Sequence, residues 1–280
     1  MTFLRTLCLF AVLGAALSGC ATTAPQAKAL LASPPPVAKE KQIEHVPFID
    51  QKIGECGPAS LAMAMAWAGH PVSVDELAPK VMIDKKGTLQ ENMIGAARRE
   101  GLMAVQITGF NSLLSEVNDG HPVIIFENLG LSWYQQWHYA VVIGYDLNRE
   151  DIIMHSGHDE ASRTDLKIFE RSWKLSDYWA LAVLPPGQIA KSAGELANMR
   201  AAAGLEMVGR NDEAQRSYES ILQVWPKSVS ALIGLGNLAF ARGDYRASVN
   251  YLRRAHEIDP DSKAAEHNLK VAEEKLRSKI

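Results

Sequence analysis

Three cysteines in 280 residues leave no room for a disulfide-stapled scaffold. Long apolar runs are missing as well: Leu7 to Leu17, with Gly14 inside it, is too short for a stable membrane-spanning helix. Neither sign of charge is in excess, since 29 Lys and Arg against 32 Asp and Glu give a formal net charge of −3. No dense basic patch interleaved with aromatics stands out, which sets nucleic acid aside as a partner. A Walker A spacing is absent, so the chain offers no site for ATP. Metal-ligand spacing is limited to a lone His155-x-x-His158 beside Asp159, the pattern of a solvated turn, and no metal or cofactor is expected. What remains is ordinary globular composition, 47% apolar and 22% charged, over a length that suits one medium domain and a smaller one.

The N-terminus reads as an export signal. Arg5 precedes the apolar run, which ends in Leu17-Ser18-Gly19-Cys20, and residues 1–19 have the layout of a cleaved signal peptide. Leu17 to Cys20 resembles a bacterial lipobox, which implies cleavage before Cys20 and acylation of its thiol. Several acyl chains, palmitate among them, anchor stably where one does not. Ala21 rather than Asp after Cys20 implies the periplasmic face of the outer membrane. Residues 20–44, with Ser33-Pro34-Pro35-Pro36 among Ala and Lys, are expected to form an extended tether.

From residue 45 to 186 helix and strand signals mix. Pro58 to Ala68 and Gln90 to Glu100 read as helices stopped by glycines. Short apolar runs at Met103–Thr108, Val123–Phe126, His138–Tyr145, Asp151–Met154 and Trp179–Leu184 read as strands. Asp146 to Glu150 is the turn between two of them. An α+β domain follows from this order.

Beyond residue 195 the pattern is helix only, with a period of thirty-four. Gly209, Ala214, Tyr218 and Pro226 recur as Gly243, Ser248, Leu252 and Pro260. This resembles the tetratricopeptide repeat, a helix–turn–helix unit of that length. Two units are expected, 195–228 and 229–262, with a charged capping helix completing an all-α domain to residue 280. The first unit carries Ala201-Ala202 where the second has Leu235-Gly236.

Chemistry concentrates at Gln51-Lys52-Ile53-Gly54-Glu55-Cys56-Gly57-Pro58-Ala59-Ser60-Leu61. Cys8 leaves with the signal peptide and Cys20 is acylated, so Cys56 is the one thiol left in the mature chain. An unpaired cysteine in an exported protein is a candidate nucleophile, with a buried inert thiol as the bland alternative. Pro58 suits the first turn of a helix, whose positive end faces the Cys56 sulfur and favours thiolate. A leaving amine needs a proton, and His138, opening an apolar strand, is placed to supply it. Gln51 is placed to aim its side-chain amide at a developing oxyanion.

Gln51…Glu55-Cys56-Gly57-Pro58-Ala59-Ser60-Leu61, followed by His138-Tyr139-Ala140-Val141-Val142-Ile143-Gly144-Tyr145, resembles the C39 (bacteriocin-processing) peptidases and their C39-like relatives over roughly residues 46–184. The resemblance implies a papain-like fold, a Cys–His pair at Cys56 and His138, and an oxyanion role for Gln51. It also implies an Asp at the end of the next strand, where this chain has Ser156 after His155. Asp146, Asp151 and Asp159 are near in sequence but none falls at that place. A serine hydroxyl accepts from imidazole without supplying a negative charge.

The function expected is hydrolysis of a peptide or protein substrate by Cys56, His138 and Gln51, with Ser156 as third member. The repeats are expected to recruit substrate or a protein partner. A non-catalytic peptide-binding adaptor is the competing reading, and acyl transfer through the same thioester is a third. His45, His70 and His121 are expected at the surface and Trp67, Trp133 and Trp137 in the core, with shielding of the site as the alternative for Trp137 beside His138. The Gly130 to Trp137 stretch is expected to line the substrate cleft.

Overall fold

The computed structural model describes residues 24–83, 87–131 and 133–279. The signal peptide, the lipobox and Cys20 lie outside these residues. None of the described helices is long and apolar enough to cross a membrane.

The segment Cys-Gly-Pro-Ala-Ser-Leu-Ala-Met-Ala-Met-Ala-Trp has no polar face, and such a helix is stable only when surrounded. It forms α2 (Cys56–Trp67), preceded by α1 (Pro25–Ala32), and residues 57–65 are all buried. Each fully buried Leu or Met on it contributes about 1.5–3 kcal/mol of transfer free energy. Next comes α3 (Val74–Val81), opened by a capping box in which Ser73 and Glu76 bond to each other's backbone N–H. A small hairpin, β2 (Met82–Ile83) with β3 (Gly87–Thr88), leads to α4 (Gln90–Arg99).

The sheet that faces α2 is built from β4 (Met103–Thr108), β5 (Val123–Asn128), β6 (Trp137–Asp146), β7 (Asp151–Ser156), β8 (Asp159–Asp165) and β9 (Trp179–Leu184), in the order β4-β9-β5-β6-β7-β8. All its pairs are antiparallel. A further strand, β1 (Glu40–Gln42), pairs with the far end of β6, Glu40 opposite Asp146. All six residues of β9 are buried, the pattern of a strand covered on both faces. Two helices complete this domain: α5 (Gly109–Asn118) and α6 (Leu166–Trp173), the latter capped by Asp165, which accepts from Lys167 and Ile168 N–H.

Residues 20–44 are not the extended tether the sequence suggests over the part that is described. Ala27 and Leu30 of α1 are buried, and the Glu170 carboxylate accepts the N–H groups of Gln26 (3.0 Å) and Ala27 (2.7 Å). A buried carboxylate at a helix start satisfies orphan donors and opposes the macrodipole. β1 then joins the sheet, so this segment is part of the peptidase-like body.

The C-terminal region is helical throughout: α7 (Gly194–Met207), α8 (Asn211–Val224), α9 (Val229–Ala241), α10 (Tyr245–Ile258) and α11 (Lys263–Arg277). Gly209 and Gly243, thirty-four residues apart, turn each hairpin with φ of 79° and 80°, a conformation that favours glycine. The first helix pair seats directly on the sheet domain. α7 covers edge strand β4, Gly204 lies against the Arg98 guanidinium, and Arg210 Nε donates to Arg99 O at 2.9 Å. That docking accounts for Ala201-Ala202 in place of a Leu-Gly pair: both alanines are fully buried. Glu116 of α5 fastens the junction. One carboxylate oxygen accepts from Ser192 N and Oγ (3.1 and 2.6 Å), and the other lies 2.7 Å from His121 Nδ1.

Candidate active site

Cys56 is the first residue of α2, and no side chain caps that helix start. The N–H groups of Cys56 and Gly57 have no acceptor within the helix, Pro58 has none to donate, and Ala59 N reaches Glu55 O at 3.0 Å. The helix therefore ends in donors and a positive dipole end beside a half-buried sulfur. Gly57 is required here for space. A Cβ at this position would lie 2.4 Å from the Thr88 side chain, which closes over the helix start. Cys56 makes no disulfide among the described residues.

Gln51 is buried, 4% exposed, in the loop that leads to the helix. Its amide meets Ser60 Oγ at 3.5 Å, and Ser60 is four residues after Cys56, hence on the same helix face. The other amide atom has no partner. Nε2 donates to Ser60 Oγ and Oε1 is the unpaired atom; a half-turn of the amide would let Oε1 accept the Ser60 hydroxyl proton and free Nε2 as a donor for an incoming oxygen. Gln51 N also donates to Gly157 O at 3.2 Å, which ties this loop to the turn after β7.

His138 opens the buried part of β6 and is itself half-buried. Its Nε2 lies 3.0 Å from Ser156 Oγ, so Nδ1 is left for a different partner. Burial lowers its pKa below the usual imidazole value. No hydrogen bond joins it to Cys56 among the described residues. The sulfur is nonetheless felt one residue on: burial first, then the charges at Cys56 and Glu91, push the Tyr139 phenol well above its ordinary pKa. Tyr139 Oη donates to Thr88 O at 3.1 Å. Ser60 thus ties Gln51 to the helix of Cys56, Gly157 ties the Gln51 loop to the turn beside Ser156, and Thr88 ties the start of α2 to Tyr139, the residue after His138.

Several other expectations change. His155 is a buried residue of β7 (3% exposed), with Nε2 on Val46 O and Nδ1 facing Ala161 N, and burial lowers its pKa against the opposing effect of the Val46 carbonyl. His158 instead pairs with Asp50 at the surface. The described residues hold no group of three or more His, Cys, Asp or Glu arranged for a metal ion. His121 is not a surface residue, being only 12% exposed against buried Glu116. Trp133, on the β5–β6 loop, and Trp137, the first residue of β6, are not core, being 81% and 40% exposed; within the loop Asn128 Oδ1 accepts from Gly130 N and Gln136 N. That loop borders a cleft of about 710 Å³, whose lining includes Gly130, Leu131, Ser156, Glu127 and Ser172.

Sequence reasoning missed Thr88, Ser60 and Glu127. Ser60 was legible from its spacing to Cys56, and Glu127 from being a lone charge in the apolar run of β5. Nothing in the sequence marks Thr88, which arrives through the β2–β3 hairpin.

The chain belongs to the peptidase C39-like family, whose pattern it matches over residues 40–180, and it carries tetratricopeptide repeats over residues 207–272. Similar solved structures include a chain described as a C39-like peptidase from Bacillus anthracis, at 21% identity, covering 52% of this chain and 97% of that one with a TM-score of 0.46. Another is the peptidase domain of Streptococcus ComA, a bi-functional ABC transporter involved in quorum sensing (23% identity, 50% and 99% covered, TM-score 0.43). A third is a double glycine motif protease from an AMS/PCAT transporter in complex with the leader peptide (22%, 51% and 96%, 0.40). No curated protein matches the chain significantly.

Proposed function

We propose that the chain is a membrane-anchored periplasmic cysteine peptidase that hydrolyses peptide bonds through Cys56 and His138. One observation carries the reading. The loop leading into Cys56 is hydrogen-bonded through Gln51 N to Gly157, next to the Ser156 that holds the His138 ring. These contacts tie the loop that leads into Cys56 to the strand end beside His138, which supports the reading.

The chemistry follows from that arrangement. The Cys56 thiolate attacks the scissile carbonyl carbon, and the carbonyl oxygen takes up the negative charge. The free N–H groups at the start of α2, and Gln51 Nε2 once its amide turns away from Ser60, donate to that oxygen, where preorganised donors are worth the most. As the tetrahedral intermediate collapses, the C–N bond breaks and His138 gives its proton to the leaving amine. Water then attacks the thioester, His138 takes its proton, and the thiolate departs with the acid released.

Acylation of Cys20 places this chemistry at the periplasmic face of the outer membrane. The repeats recruit substrate or a protein partner, a role supported by the docking of α7 on edge strand β4. A second reading, a peptide-binding adaptor without turnover, is favoured by a single feature: Ser156 brings no charge to His138. Full-length wild type, Cys56→Ser and His138→Ala incubated with a periplasmic peptide pool decide between them, by mass spectrometry of new termini. Termini made by wild type alone support the peptidase. Equal patterns from all three, with peptides retained by Cys56→Ser, support the adaptor.

A further inference from the structure

We propose that Glu127 is the positioning carboxylate for His138, supplying from the neighbouring strand the negative charge that Ser156 lacks. The proposal rests on the peptidase reading above and identifies a third acidic member for its site.

Glu127 stands directly opposite His138 in the β5–β6 ladder. Directly opposed residues of an antiparallel pair project from the same face with Cβ atoms about 4.5–5.5 Å apart. Glu127 is only 3% exposed, so its charge is poorly screened. It also lines the same cleft as Ser156, whose Oγ meets His138 Nε2. Imidazole and carboxylate therefore share one face of the sheet, the face that also carries the cleft lined by Ser156.

The Glu127 surroundings suit a carboxyl that changes state with its neighbour. Ser172 Oγ lies 2.5 Å from Glu127 Oε2 and 2.9 Å from Phe169 O. A hydroxyl has one proton, so it donates to one of these at a time. With Glu127 ionised, Ser172 donates to the carboxylate. With Glu127 protonated, the acid donates to Ser172, which turns its own proton to Phe169 O. Neither state leaves a buried group unpaired. Burial raises the pKa of Glu127 and lowers that of His138. The other titratable groups lining the cleft are Asp159, Arg163, Arg171 and Lys174, brought by β8, α6 and the turn after it.

The test is the rate of Cys56 alkylation by iodoacetamide between pH 5 and 9 on the full chain. Glu127→Gln keeps a partner for Ser172 while removing the charge. It is expected to cut the rate near pH 5.5 about tenfold, as loss of one pKa unit of imidazolium stabilisation does, and to leave the rate above pH 9 unchanged. Adding Ser156→Asp to Glu127→Gln returns a charge beside Nε2 and is expected to restore the rate at pH 5.5. A packing defect is not repaired by that second change, so rescue separates charge from structure. A wild-type profile from Glu127→Gln, while His138→Ala still abolishes the acid limb, overturns the role of Glu127 and leaves Cys56 and His138 standing. No His138-dependent acid limb in wild type overturns both.

Discussion

Ser156 Oγ lies 3.0 Å from His138 Nε2, at the place where C39-type peptidases are expected to carry an aspartate. The contact orients the ring but adds no charge to it. Ser156→Asp alone is therefore expected to raise the imidazolium pKa by roughly 1–3 units, the usual effect of an adjacent opposite charge. NMR titration of His138 in wild type and variant reads this directly. An unchanged midpoint would show that the ring is already fully compensated.

Burial also sets the acid stability. The folded-state pKa of His155 is lowered below the unfolded value near 6.5. Between the lowered value and 6.5 the unfolded chain binds more protons than the folded one. Stability is then present above 6.5, falls as pH drops through that window, and levels off below the folded pKa. Denaturant midpoints from pH 8 to 4.5 measure this. His155→Asn is expected to be less stable at neutral pH yet to show a shallower acid slope.

Gln51 is expected to act on the reacting oxygen alone. Gln51→Ala should lower kcat by about 10²–10³ with little change in KM, as removal of an oxyanion donor does. Ser60→Ala, which only releases the Gln51 amide, should cost less than Gln51→Ala. Steady-state kinetics on any substrate from the peptide screen separate the two. Equal losses in kcat for both would assign Ser60 a larger part than holding the amide.

Gly57→Ala places a Cβ 2.4 Å from the Thr88 side chain. Overpacking of this kind costs about 1–3 kcal/mol. It is expected to displace the helix start and so to slow Cys56 alkylation as well as lower the thermal midpoint. A stable variant with wild-type reactivity would show that Thr88 moves aside freely.

Glu116 ties the repeats to the sheet domain. Glu116→Ala leaves His121 and the Ser192 donors without their acceptor and should cost roughly 1–3 kcal/mol, as unsatisfied buried donors do. Loss of protection at both residues 108–121 and 190–205 in hydrogen exchange would show that the two regions share one cooperative unit.

Much of the sheet was legible because its strands are apolar on both faces. The runs at Met103–Thr108 and Trp179–Leu184 have the bounds that the ladder gives them. The last strand, β8, was not legible: Asp-Glu-Ala-Ser-Arg-Thr-Asp lies at the sheet edge with little of it buried, so no hydrophobic alternation marks it. α1 was hidden for another reason, since its partner is Glu170, well over a hundred residues away in sequence. In the site, Cys56, Gln51 and His138 stood out because their chemistry and local context agree. Glu127 is marked in the sequence only as a lone charge in an apolar run; that it stands opposite His138 is decided by cross-strand register, which is a tertiary fact.

The central claim, a Cys56 thiolate held by His138, is tested most directly by alkylation of the full chain at pH 5.5 in wild type and His138→Ala. The account predicts that wild-type Cys56 reacts well below the pH at which an ordinary thiol ionises, near 8.5, and that His138→Ala loses this reaction. Equal rates in both proteins, rising only as a free thiol's would, contradict it.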